Sequence, residues 1–80
     1  MNYVYAIRSL LDGRIYVGMT TDLERRIKEH NAGKTFSTRP YIPWEIIYKE
    51  TCLNRFEARK REKYLKGGSG KEFLKALINC

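Results

Sequence analysis

Two tyrosines, an arginine, a histidine and a glutamate are the groups through which this chain could do chemistry. Tyr5 closes the tripeptide Tyr3-Val4-Tyr5 and Tyr16 opens Tyr16-Val17-Gly18, with an Asp12-Gly13 turn between them. Thr21-Asp22-Leu23-Glu24-Arg25-Arg26-Ile27-Lys28-Glu29-His30 follows at once, adding a guanidinium and an imidazole. Glu62 supplies an acid further along. Such a set suits phosphate. A cation offsets its charge, an acid holds a metal ion, and a phenol or imidazole orients water or moves a proton.

Taken singly, each residue has a plainer reading. A strand tyrosine commonly packs with its hydroxyl satisfied. A helical histidine beside a core is commonly a hydrogen-bonded structural residue. Glu62 could pair with Arg26, Arg59 or Lys66 instead of holding a metal. The functional reading rests on the combination.

The elements that must position these groups follow from periodicity. Asn2 to Arg8 places Tyr3, Tyr5 and Ile7 on one parity and Val4 and Ala6 on the other, which fits a strand covered on both faces. Leu11-Asp12-Gly13-Arg14 has turn chemistry, and Ile15-Tyr16-Val17 is the return strand, where Gly18 either ends it or lets a ligand approach the backbone closely. Thr21-x-x-Glu24 is a capping box, so a helix is predicted from Thr21 to about His30, stopped by Asn31-Ala32-Gly33. Residues 33 to 43 read as a polar loop, and Trp44 to Tyr48 as a third strand. Asn54 with Glu57 opens a second helix running to about Lys66. Gly67-Gly68-Ser69-Gly70 breaks it, and Ser69-x-x-Glu72 opens a third helix with Phe73, Leu74, Leu77 and Ile78 as its buried stripe. The order β-β-α-β-α-α predicts an α/β chain of the α+β type, a small three-stranded antiparallel sheet flanked by helices. Residues 1–80 read as one domain, without repeats.

Helical geometry sorts the candidates. With Leu23 as reference, Ile27 lies about 40° round and His30 about −20°, so these three share the inward stripe. Arg26 flanks it at about −60°, whereas Arg25 points away. Arg26 and His30 can meet one ligand; Arg25 and Lys28 are solvated or touch phosphate loosely. On the second helix Ala58 and Leu65 set the inward line and Glu62 lies about 40° from Ala58, while Glu57 is about 100° away and occupied with capping.

Composition narrows the partners. Sixteen Lys and Arg against nine Asp and Glu give net +7, a balance that favours a polyanion, most commonly nucleic acid. A membrane partner is not expected, because no large apolar amphipathic face or lipidation signal stands out. No apolar run has transmembrane length and the start lacks a signal-peptide layout, so a cytoplasmic protein is expected. Cys52 and Cys80 are too sparse for a disulfide framework or a zinc site and read as free thiols.

These residues resemble the GIY-YIG nuclease domain, named for two tripeptides on adjacent strands. Tyr3-Val4-Tyr5 and Tyr16-Val17-Gly18 take their places, Arg26 and His30 match the arginine and histidine that follow, and Glu62 within Arg61-Glu62-Lys63-Tyr64-Leu65-Lys66 matches the acid. The chain is most similar to the small single-domain bacterial members, over nearly its whole length. The resemblance implies metal-dependent hydrolysis of DNA phosphodiesters, weakly sequence-specific or structure-selective, with DNA as partner and an additional targeting protein conceivable. It implies Glu62 as ligand of one Mg²⁺ or Mn²⁺ ion, Arg26 on the scissile phosphate, and Tyr5 or Tyr16 orienting or deprotonating water. Tyr16 is preferred as base, with Tyr5 as its hydrogen-bond partner and His30 as a relay. Phosphate contacts are expected from Arg25, Lys28, Lys34, Arg39, Arg59 and Lys66. The chain departs from the pattern in three places. Tyr3 stands where the family name has glycine, and Met19 where the excision-repair members have lysine, a contact Lys34 or Arg39 could replace. Asn79 is a poor match for the asparagine found beyond the acid in several members. Two other readings compete: a basic nucleic-acid-binding module with a degenerate nuclease site, and a basic scaffold that binds protein.

Overall fold

A computed structural model describes residues 1–78; the expectations placed on Asn79 and Cys80 lie outside the described residues. Three strands, β1 (Asn2–Ser9), β2 (Ile15–Thr20) and β3 (Trp44–Cys52), form one antiparallel sheet in the order β2-β1-β3. Three helices, α1 (Leu23–Asn31), α2 (Arg55–Lys66) and α3 (Gly68–Ile78), complete an α+β fold in the predicted order.

β1 is central, so both its parities are buried. Val4 and Ala6 join Val17, Cys52, Ala58, Leu65 and Leu74 in a core beneath α2 and α3. Tyr5 and Ile7 join Trp44 in a second core, against which Tyr16, Leu23 and Ile27 pack beside α1. The continuous apolar run of β1 is therefore what a strand between two layers requires. The β1–β2 hairpin closes at Gly13, whose φ of 82° needs a residue without Cβ, and Ser9 N donates to Arg14 O at 2.9 Å.

Four boundaries differ from expectation, the first being the end of β2, which runs past Gly18 to Thr20 because Tyr3 and Val4 of β1 pair with Thr20 and Met19. α1 is capped by Asp22, whose carboxylate accepts from Arg25 N, and not by Thr21; the Thr21–Glu24 pattern is real in sequence but out of register by one residue. β3 continues through Lys49, Glu50 and Thr51 to Cys52, because pairing with the amino-terminal half of β1 holds polar residues in the ladder. α3 starts at Gly68, so the glycines become its first turn. Leu74 is the buried anchor of that helix, while Phe73 and Leu77 are each 40% exposed. α2 begins as expected, with Asn54 Oδ1 accepting from Glu57 N at 2.9 Å.

Residues 33 to 43 are more ordered than their composition suggests. A 3-10 turn spans Arg39–Tyr41, the Trp44 indole donates to Thr38 O at 2.9 Å, and Asn31 brackets Trp44 through both its amide atoms. Cys52 is a free buried thiol. Among the described residues no helix is long and apolar enough to cross a membrane.

Candidate active site

β1 and β2 set the two phenols side by side on the face that α1 covers. Tyr5 pairs in register with Gly18, and the Tyr5 and Tyr16 rings lie 6.5 Å apart. Gly18 makes room for both: a Cβ there would stand 2.6 Å from the Tyr5 hydroxyl oxygen and 3.2 Å from Tyr16 Cε1. The glycine that the sequence suggested as a strand end or a place of close ligand approach is a seat for the two rings.

α1 then brings His30 and Arg26 to them. His30 is 0% exposed, with its ring 5.2 Å from Tyr16 and 5.8 Å from Tyr5. Its Nε2 is 2.8 Å from the Tyr5 hydroxyl and its Nδ1 is 2.8 Å from Thr38 Oγ1. The Thr38 hydroxyl has the Thr35 carbonyl as its acceptor, at 3.5 Å. It therefore receives the Nδ1 proton, leaving Nε2 to accept from Tyr5. Burial, helped by the Arg26 charge, pulls the His30 pKa down to about 4, so the ring is neutral at pH 7.

Tyr5 is pushed up to about 12 by burial; a hydrogen bond from Arg26 works against this, while Tyr16 and Glu62 add to it. At neutral pH Tyr5 is thus a protonated phenol, donating to His30. Its hydroxyl is taken by His30 rather than by Tyr16, and His30 is buried with both ring nitrogens engaged. Arg26 is half-buried, its side chain 31% exposed. It also pairs with Glu29 at 3.2 Å.

Glu62 arrives from the other layer. Its side chain is 14% exposed, pairs with Lys66 at 3.4 Å, and borders a hollow shared with Asn2, Thr20, Arg55 and Arg59. Met19 and Thr20 of β2 line this hollow, and Lys66 also lines a second groove together with Tyr16. Groups from β1, β2, α1 and α2 therefore gather at the β2 side of the sheet. Among the described residues no three His, Cys, Asp or Glu come together, so no closed cage of protein ligands exists. A single recessed carboxylate instead suits a hard cation that takes its remaining ligands from phosphate and water.

The expected phosphate contacts divide. Arg59 and Lys66 flank Glu62. Arg25 lies on the outer side of α1, its side chain 72% exposed and 3.8 Å from Glu29, and Lys28 is exposed on the same helix. Lys34 and Arg39 belong to the loop before β3, where Arg39 lies over the Phe36 ring. Sequence reasoning missed Arg55 in the Glu62 hollow and Lys71 and Lys75 in the groove between α3 and β2. The i, i+4 spacing of the two lysines on α3 was the available signal, but nothing local says which face of α3 meets β2.

A family model described as the GIY-YIG catalytic domain matches residues 1–75. A UPF0213 protein of Desulfotalea psychrophila is 42% identical over 66 residues, covering 80% of this chain and 59% of that relative, so the chain spans well under two thirds of its length. A UPF0213 protein of Staphylococcus haemolyticus is 36% identical over 80 residues, covering 95% of this chain and 93% of the relative. The solution structure of a UPF0213 protein from Bacillus halodurans superposes with a TM-score of 0.57 at 37% identity, over 96% of this chain and 85% of that one.

Proposed function

The chain belongs to the GIY-YIG catalytic domain family, a nuclease family, and from that premise we propose that it is an endonuclease hydrolysing DNA phosphodiester bonds with the help of one Mg²⁺ or Mn²⁺ ion. The observation that carries this reading is that Tyr5, Tyr16 and His30 cluster beside α1 while Glu62 lies recessed in a cationic hollow that the end of β2 shares. Glu62 is the group that would hold the ion, and Lys66 keeps that carboxylate paired until then. Bound there, the ion would polarise the phosphate and help offset charge on the leaving oxygen.

The remaining work falls to the side chains. Arg26 faces the developing negative charge, and Tyr5, donating to neutral His30, keeps its own oxygen turned toward the guanidinium. Tyr16, half-buried and lining the groove, is the phenol left to orient the attacking water or take its proton. Tyr5 and His30 are thus positioning residues, whereas Tyr16, Arg26 and Glu62 touch the reaction. Arg59 and Lys66 meet flanking phosphates, with Arg25, Lys28, Lys34 and Arg39 adding longer-range attraction.

The test is nicking of supercoiled, branched and single-stranded DNA with Mg²⁺ or Mn²⁺. Glu62→Ala is expected to abolish cutting while leaving the far-UV circular dichroism unchanged. Absence of metal-dependent cutting by the unmodified protein across these substrates would sink the reading. The Glu62–Lys66 pair favours a second reading, a binding module whose acid is structural. On that reading DNA binding is salt-sensitive, Glu62→Ala leaves it equal or stronger, and no turnover is seen.

A further inference from the structure

Between the outer edge of β2 and the α2–α3 corner runs a groove of about 630 Å³. Its floor is apolar, made by Ile15, Val17, Leu65, Leu74 and Ile78. Its rim is cationic: Lys66 stands at the end next to Glu62, Lys71 and Lys75 lie one helical turn apart along α3, and Arg14 sits at the hairpin end. Arg14 is paired with Asp12 at 2.8 Å and lies over the Tyr41 ring, so the rim charges available to a ligand are chiefly the lysines. No acid lines the groove among the described residues. Tyr16 borders it at the β2 edge, with its ring turned to the other face of the sheet beside His30.

A duplex has little use for such a channel. Its bases are stacked inside and it presents phosphates on a broad surface, so an apolar floor would gain nothing from it. A strand with unpaired bases is different, because bases can lie against apolar and aromatic surface while phosphates meet cations at the rim. The volume is that of a site for a drug-sized molecule, enough for a nucleotide or two and far too small for a double helix. Lys66 lines both this groove and the Glu62 hollow, and that continuity places the end of such a strand beside Glu62.

We propose that this groove binds a single-stranded nucleic-acid segment next to the scissile phosphate, making the preferred substrate one with unpaired nucleotides. The proposal deepens the nuclease reading and rests on it for the position of the cut. Its test is independent of cleavage. A short fluorescein-labelled DNA oligonucleotide, single-stranded or annealed to its complement, is titrated with Glu62→Ala protein in EDTA and followed by anisotropy over a range of salt.

The single strand should bind at least ~10-fold more tightly than the duplex, and Lys71→Gln/Lys75→Gln should lose ~10-fold of single-strand affinity with its log–log salt slope shallower by about 1.4. Duplex binding should hardly change. Each single variant should show about half the slope change, and since both side chains are exposed the fold should survive, as circular dichroism will show. Duplex bound as tightly as single strand, an equal loss for both, or no loss in the double variant would overturn the proposal. Should the nuclease reading fail in the cutting assay, this comparison would still decide the groove. Cutting that proceeds normally on duplex while Lys71 and Lys75 prove irrelevant would defeat the groove alone.

Discussion

Gly18 carries no side chain because Tyr5 occupies the place one would take. The obstructing atoms are not a flexible tip: the Tyr5 hydroxyl is tied to His30 at 2.8 Å, and the ring is buried. Gly18→Ala should therefore lower stability by about 1–3 kcal/mol, read as a drop in the urea midpoint, with loss of cutting because the support of Arg26 is displaced. A second expectation concerns His30, held neutral by burial and by Arg26, with Glu29 opposing. Its folded pKa of about 4 lies below the ordinary 6.5, so the unfolded chain binds the proton more readily. The sign follows: stability is full above pH 6.5 and is lost as pH falls toward 4, by about 2 kcal/mol at pH 5. His30→Gln should show a smaller fall in urea midpoint between pH 7 and pH 5 than the unmodified protein. At this scale the sequence was legible in part. The inward stripe of Leu23, Ile27 and His30 and the flanking place of Arg26 follow from helical period alone. The partner of the Tyr5 hydroxyl does not, because Thr38, which fixes the histidine tautomer, comes from a loop with no periodicity to read.

Capping shows where local patterns mislead among the elements. Thr21-Asp22 offers two N-cap residues in succession, and the chain uses the second, with Arg25 N donating to Asp22 at 3.2 Å. Asp22→Ala should cost about 1 kcal/mol in thermal or urea unfolding, whereas Thr21→Ala should stay within about 0.5 kcal/mol. The end of β3 was missed for a different reason. Lys49, Glu50 and Thr51 look like loop residues, yet Glu50 sits in the ladder opposite Val4 and holds Arg61 of α2 through bonds of about 3 Å. Tertiary pairing there overrides strand propensity. The second helix was legible to its cap because Asn54 and Glu57 have no competing neighbour in the pattern.

The molecule as a whole depends on how two layers are pressed onto one central strand. Gly70 is the tightest point: a Cβ there would overlap the Tyr64 carbonyl and the Leu65 backbone, which cannot swing aside. Gly70→Ala should cost about 3 kcal/mol, seen as a large fall in melting temperature, and should weaken oligonucleotide binding by moving α3 away from β2. The topology was readable from alternating parities and helix stripes, but the side on which α2 and α3 lie was not, and the groove was therefore invisible in the sequence. The hydrogen-bonded chain from Thr38 through His30 to Tyr5 has a last implication. Its two ionisable members lose or gain protons near pH 4 and pH 12, outside the span in which an enzyme assay would be run. The bracket supporting Arg26 is acid–base silent across that interval, so a bend in a rate profile near neutrality would originate at the solvent-facing side of the cleft.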